Sequence, residues 1–164
     1  MRPFLLITVI VSSFLLGFLT NSYITISNSN NEFPFTGLFS KNTEEASPQD
    51  YIKENQIQVF KDKVIIFIND AQISSYEDTN SMDPLFDISH NGIEVKPNCE
   101  ELQIGDIIAY KANWVNGIVI HRIISKSIDK EGLFYTTKGD NSQINDPQKV
   151  RCSEIKNKLV GVLY

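Results

Sequence analysis

At 164 residues, with 41% hydrophobic and 21% charged side chains, the chain suits one folded domain plus an appendage. That balance excludes a wholly disordered chain and a multi-span membrane protein. A formal net charge of -5 with no dense Lys/Arg block removes the electrostatic attraction on which nucleic-acid binding relies, so no nucleic-acid partner is expected.

The chain opens on a different material. Residues Pro3 to Ile26 carry no charge, and Arg2 with the amino terminus precedes them. A spanning helix needs roughly 17–25 mostly apolar residues, so residues 1–26 are expected to form a single membrane anchor. The competing reading is a cleaved signal segment, with Thr20 and Ser22 as its small residues. Positive charge stays on the cytoplasmic side, so both readings put the rest of the chain outside the cytoplasm. Residues 27–50, rich in Asn, Ser, Thr and Glu, read as a polar tether, and residues 51–164 as the folded domain.

Within the domain the apolar residues come in short β-branched runs. They are Val64–Ile68, Ile93–Val95, Ile107–Tyr110, Ile118–Ile120, Ile123–Ile124, Leu133–Thr137 and Leu159–Tyr164. Asn91-Gly92, Gly105-Asp106, Asn116-Gly117, Glu131-Gly132 and Gly139-Asp140 read as the turns that divide them. No run of ten or more residues holds a helical period, so the expected fold is mainly β, with a short helix allowed at the start of Ile52–Phe60. Cys99 and Cys152 lie in polar contexts in a compartment that permits oxidation, and either a disulfide or two free thiols fits them. Neither stands in a metal-binding spacing, and no metal or cofactor is expected.

The groups able to exchange a proton near neutral pH are few, because the chain has only His90 and His121. His90 lies in the turn-like DISHNG and reads as exposed. His121 sits inside IVIHRII, on a strand whose alternate residues should be buried. Asn80-Ser81-Met82-Asp83-Pro84 reads first as a surface turn. The loop TKGDNSQIND brings Asp140 and Asp146 close together in sequence after a strand. A serine, a strand histidine and a loop aspartate are the parts of acyl-transfer chemistry, in which a base oriented by a carboxylate activates a hydroxyl. Spacing does not show that they meet.

SMDP at 81–84, GDIIAY at 105–110, IVIHRII at 118–124 and TKGDNSQIND at 137–146 fall in the order and rough separations found in type I signal peptidases. The histidine before Arg122 resembles the archaeal and endoplasmic-reticulum type, where the common bacterial form has lysine. The resemblance covers about residues 75–163. It implies a signal-peptidase-like antiparallel β domain outside the membrane, with Ser81 as nucleophile and His121 as general base. Asp146 is implied as the residue orienting His121, with Asp140 as runner-up. The oxyanion donors implied are the Ser81 N–H and the hydroxyl of Thr79, where the family usually has serine. Met82 either packs near the site or dips toward the membrane surface, while Arg122 and Lys138 are supporting polar groups. Signal peptides of exported preproteins and membrane lipid are the implied partners, with a partner subunit as a further expectation. Two features depart from the pattern: ISHN replaces the usual turn after SMDP, and Asn145 stands where relatives have a second acidic residue. The alternatives are a catalytically silent, membrane-tethered β domain that binds peptides or assembles with envelope proteins, and a secreted structural β domain.

Overall fold

A computed structural model of the chain describes residues 45–164. The expected anchor over 1–26 and most of the expected tether lie outside the described residues. Among the described residues no helix is long and apolar enough to cross a membrane.

The domain is mainly β and wholly antiparallel in its pairing. After a 3₁₀ turn at Glu54–Gln56, β1 (Ile57–Val59) and β2 (Val64–Ile66) form a separate hairpin. The other strands make one seven-stranded sheet: β3 (Gln72–Ser75), β4 (Asn91–Val95), β5 (Ile107–Lys111), β6 (Ile118–Asp129), β7 (Gly132–Lys138), β8 (Val150–Arg151) and β9 (Ile155–Leu163). Their order across the sheet is β3-β4-β9-β5-β6-β7-β8. The β-branched runs therefore form strands where expected, and the short helix allowed near Ile52–Phe60 is a single 3₁₀ turn leading into β1.

One expectation about turns needs revision. Asn91-Gly92 opens strand β4 instead of reversing the chain. Glycine serves there by having no side chain: a Cβ would stand 1.6 Å from the phenolic oxygen of Tyr76, which packs over the strand. By contrast Gly132 sits at φ +103° in the β6–β7 hairpin and Gly105 at φ +98° ahead of β5, conformations that glycine adopts without strain. Strand β3 was not legible as an apolar run, because Gln72-Ile73-Ser74-Ser75 is an edge strand with three polar residues out of four.

Successive residues of a strand face opposite sides of its sheet, and this sheet is covered on both. Ile108 and Tyr110 of β5 join Leu102, Ile123, Tyr135 and Val150 in one core. Ile107 points the other way, into a second core with Met82, Phe86 and Leu159. The chain from Tyr76 to His90 lies over this second face, so Met82 is a core residue and does not dip toward a membrane surface.

The compact unit starts at Glu45, six residues before the expected boundary. Gln49 accounts for the difference. Its backbone N–H and side-chain amide both donate to the Asp106 carboxylate, at 3.0 and 2.8 Å. Asp106 is fully buried, and Lys158 stands 2.9 Å away as its counter-ion. Upstream, Arg122 donates to the Ala46 carbonyl and Lys138 pairs with Glu45. The polar segment just before Tyr51 is thus bound by the domain's buried charges.

Cys99 and Cys152 form a disulfide, closing a sequence separation of 53 residues between the 3₁₀ turn at Cys99–Glu101 and the residue after β8. Restricting the unfolded chain over a loop of this length contributes about 4 kcal/mol in the chain-entropy picture. The double variant Cys99→Ser/Cys152→Ser is therefore expected to lose about 2–4 kcal/mol of stability in a urea titration. An unchanged midpoint would show that the bridge does not restrain the unfolded ensemble.

Candidate active site

The site begins with the alternation of β6. His121 pairs with Ile108 across the ladder, so its ring shares the face of Ile108 and Tyr110, while Arg122 turns to the opposite face. Both side chains are largely buried and polar, so both need partners.

The loop after β7 supplies them on either side. Asp146 returns to the sheet by donating its backbone N–H to the Thr137 carbonyl at 2.8 Å. Its carboxylate lies 2.8 and 2.9 Å from His121 Nδ1. Oδ2 also accepts from the Tyr110 hydroxyl at 2.9 Å and from Thr137 Oγ1 at 2.6 Å. A carboxylate can only accept, so Nδ1 carries a proton, and in the neutral ring Nε2 has a free lone pair. Burial alone would raise the pKa of Asp146. The His121 and Thr137 hydrogen bonds, the charge of His121 and the Tyr110 hydroxyl outweigh it and hold the pKa below its usual value.

Asp140 lies on the other side. Its carboxylate takes a bidentate pair from Arg122, with Nε to Oδ1 at 2.7 Å and Nη2 to Oδ2 at 2.6 Å. Arg122 Nη1 also donates to the carbonyls of Gly105 and Ala46, each at 2.9 Å. Asp140 is therefore not a partner of His121, and its place as runner-up is withdrawn: consecutive residues of β6 point to opposite faces, and Arg122 captures this carboxylate. Lys138, the other supporting group, pairs with Glu45 at 2.8 Å and donates to the Ser142 carbonyl.

The Ser81 turn is held against the loop after β7 by its own backbone. Asn80 has a left-handed φ of 54°, which asparagine tolerates, and this turns the chain at the serine. Asn141 then fastens the turn to the loop after β7. Its backbone N–H donates to the Ser81 carbonyl at 3.0 Å, and its side-chain amide to the Asn80 carbonyl at 2.9 Å. Met82, buried in the second core, fixes the next residue.

Gly139 is the point of closest approach. A Cβ there would stand 2.5 Å from the Ser81 carbonyl oxygen and 3.0 Å from His121 Nε2. The turn bearing the serine and the free nitrogen of the imidazole thus flank one glycine. The Ser81 hydroxyl itself pairs with Thr79 Oγ1 at 3.1 Å, and the same oxygen lies 3.4 Å from the Ser81 N–H. Ser81, Thr79 and His121 all line one groove of about 740 Å³, with Trp114, Ile118 and Ile120 among its apolar walls.

His90 does not belong to this site and is half-buried, not exposed. Its Nδ1 accepts from the Asp87 backbone N–H at 2.9 Å, and its ring meets Tyr164 edge-on. Sequence reasoning missed Tyr110, Thr137 and Asn141. The first two are apolar-run members whose hydroxyls gave no signal, and Asn141 looked like part of an ordinary turn. Among the described residues no group of three or more His, Cys, Asp or Glu side chains gathers as metal ligands would.

No family model matches this chain, and no curated protein matches it.

A carboxyl whose native pKa is lowered contributes stability that is complete above its ordinary value and is lost as pH falls through the native value. For Asp146 the ordinary value is 3.8, so its contribution is complete above that pH and fades below it. Between about pH 5 and pH 2 the urea midpoint of the parent protein is therefore expected to fall further than that of Asp146→Asn. Parallel curves for the two proteins would contradict the carboxylate's role in this network.

Proposed function

We propose that this protein is a membrane-anchored serine endopeptidase that cleaves signal peptides from exported preproteins. The observation that carries the reading is the buried Asp146 carboxylate on His121 Nδ1, which leaves Nε2 facing the turn of Ser81 across Gly139. The motif order in the sequence supports the family, and the uncharged run from Pro3 to Ile26 supports the anchor.

In the proposed cycle an extended peptide enters the groove beside Ser81. The serine hydroxyl rotates from Thr79 Oγ1 toward His121 Nε2, a change among staggered χ1 wells. His121 takes the hydroxyl proton as Oγ attacks the scissile carbonyl carbon, and Asp146 stabilises the imidazolium that forms. The Thr79 hydroxyl and the Ser81 N–H, already beside one another, turn to the developing oxyanion. His121 gives its proton to the departing amine. Water then releases the acyl group by the same steps in reverse order of roles.

A second reading is a silent peptide-binding module, and one observation favours it: the Ser81 hydroxyl is paired with Thr79 and not with His121. In unliganded sites such bonds often tighten only when substrate is bound, so the geometry leaves the endopeptidase reading in place.

The test uses the full-length chain in detergent, with a preprotein that has small residues before its cleavage site and product masses as the readout. The parent protein is expected to cut at one site, and Ser81→Ala and His121→Ala to abolish the product. Asp146→Asn should lower kcat by on the order of 10³–10⁴-fold, as loss of the orienting carboxylate does in related triads. Cleavage surviving Ser81→Ala would remove the serine from its role, and no cleavage by the parent protein would favour the silent module.

A further inference from the structure

The groove that Ser81 lines also reaches a second set of polar groups. Glu94 of β4 lines it and is only 3% exposed. A carboxylate offers about four acceptor positions. Glu94 uses one, for the Asn157 side-chain amide at 2.9 Å. Among the described residues no lysine, arginine or histidine forms an ion pair with it. Lys156 lines the same groove but is exposed, and it is not a partner. A buried carboxylate without a counter-charge is costly, and the other internal carboxylates of this domain show the usual remedy: Asp106 has Lys158, Asp140 has Arg122 and Asp146 has His121.

A second group in the groove is also unsatisfied. Tyr76 lines it beside Glu94, and its phenolic oxygen is buried with no hydrogen-bond partner. Burial and then the charge of Glu94 raise the phenol's pKa, so it stays a neutral hydroxyl able to accept as well as donate. The groove thus holds a buried carboxyl group with spare acceptor positions and a spare phenol oxygen, between apolar walls.

We infer that Glu94 and Tyr76 form a subsite for a cationic side chain, lysine or arginine, of an extended peptide lying in the groove. The apolar walls receive the methylene stem, and the ammonium or guanidinium supplies the missing counter-charge, donating to Glu94 and to the Tyr76 oxygen. The inference rests on the groove being a peptide site, as in the proposed function, but not on peptide cleavage. If the endopeptidase reading holds, the subsite narrows the substrates to those with a basic residue at one fixed distance from the scissile bond.

The test measures binding, so it does not depend on turnover. Full-length Ser81→Ala protein in detergent is titrated with fluorescent alanine-rich decapeptides in which a single lysine, or norleucine as its uncharged counterpart, is moved through each position. Lysine at one position is expected to bind about tenfold tighter than norleucine there, and Glu94→Gln should remove that difference without altering the norleucine affinity. Lysine binding no tighter than norleucine at every position, no binding of either peptide set, or a lysine preference that survives Glu94→Gln would each overturn the subsite. Tyr76→Phe guards against a Glu94 variant that fails to fold. It removes an unpartnered hydroxyl, so Tm should not fall, while the lysine preference should shrink several-fold. An unchanged preference in Tyr76→Phe would also overturn the proposal. Peptide cleavage by the Ser81 parent, followed in parallel, reports separately on the endopeptidase reading.

Discussion

One strand sets the terms for the rest of the domain. Because β6 is buried on both faces, its adjacent polar residues His121 and Arg122 must each find a partner in opposite directions. A single loop, from Gly139 to Asp146, meets both needs: Asp140 crosses to Arg122 and Asp146 to His121. A loop that must satisfy two faces of a sheet has little freedom at its ends. That restriction fixes the place of Asn141, and through Asn141 the place of the serine turn.

The same arrangement explains why buried charge is so plentiful in a small domain. Arg122 holds the carbonyls of Gly105 and Ala46 as well as Asp140, and Asp106 holds Gln49 and Lys158. Each interaction joins segments far apart in sequence, and each is satisfied by several hydrogen bonds in place of one. Replacing such a group by an apolar residue of similar size would leave its partners unpaired, so single changes there are expected to be costly. The hydrophobic cores supply bulk cohesion, while the ionic groups fix which segments meet.

Much of this is legible in the sequence. The β-branched runs give strands β2, β4, β5, β6, β7 and β9; for all but β2, which lies in the exposed hairpin, burial in the large sheet accounts for the apolar signal. His121 and Asp146 were identified as partners, and they do meet. What was not legible has a common cause. Strands β1 and β3 bury too little to need an apolar pattern, β8 is only two residues long with Val150 as its one core residue, Gly92 reads as a turn until the Tyr76 ring above it is known, and the segment at Glu45–Asp50 looks solvated because its contacts are polar. Local sequence carries propensity and burial pattern, whereas Asn141 and Tyr110 acquire their parts only from contacts 61 and 36 residues away.

The disulfide divides the site in an instructive way. The covalent ring closed between Cys99 and Cys152 contains β5 to β8, and with them His121, Asp140 and Asp146. Thr79 and Ser81 lie outside it. A chain that peeled away from Tyr76 to His90 would keep the imidazole and its carboxylate confined within one ring while releasing the hydroxyl. The two halves of the site are thus topologically unequal: one is locked by a covalent bond, and the other is clasped to it by a glycine, an asparagine and a methionine in the core. Partial opening would separate them along that seam, parting the Ser81 turn from His121 and Asp146 while most of the sheet remained intact.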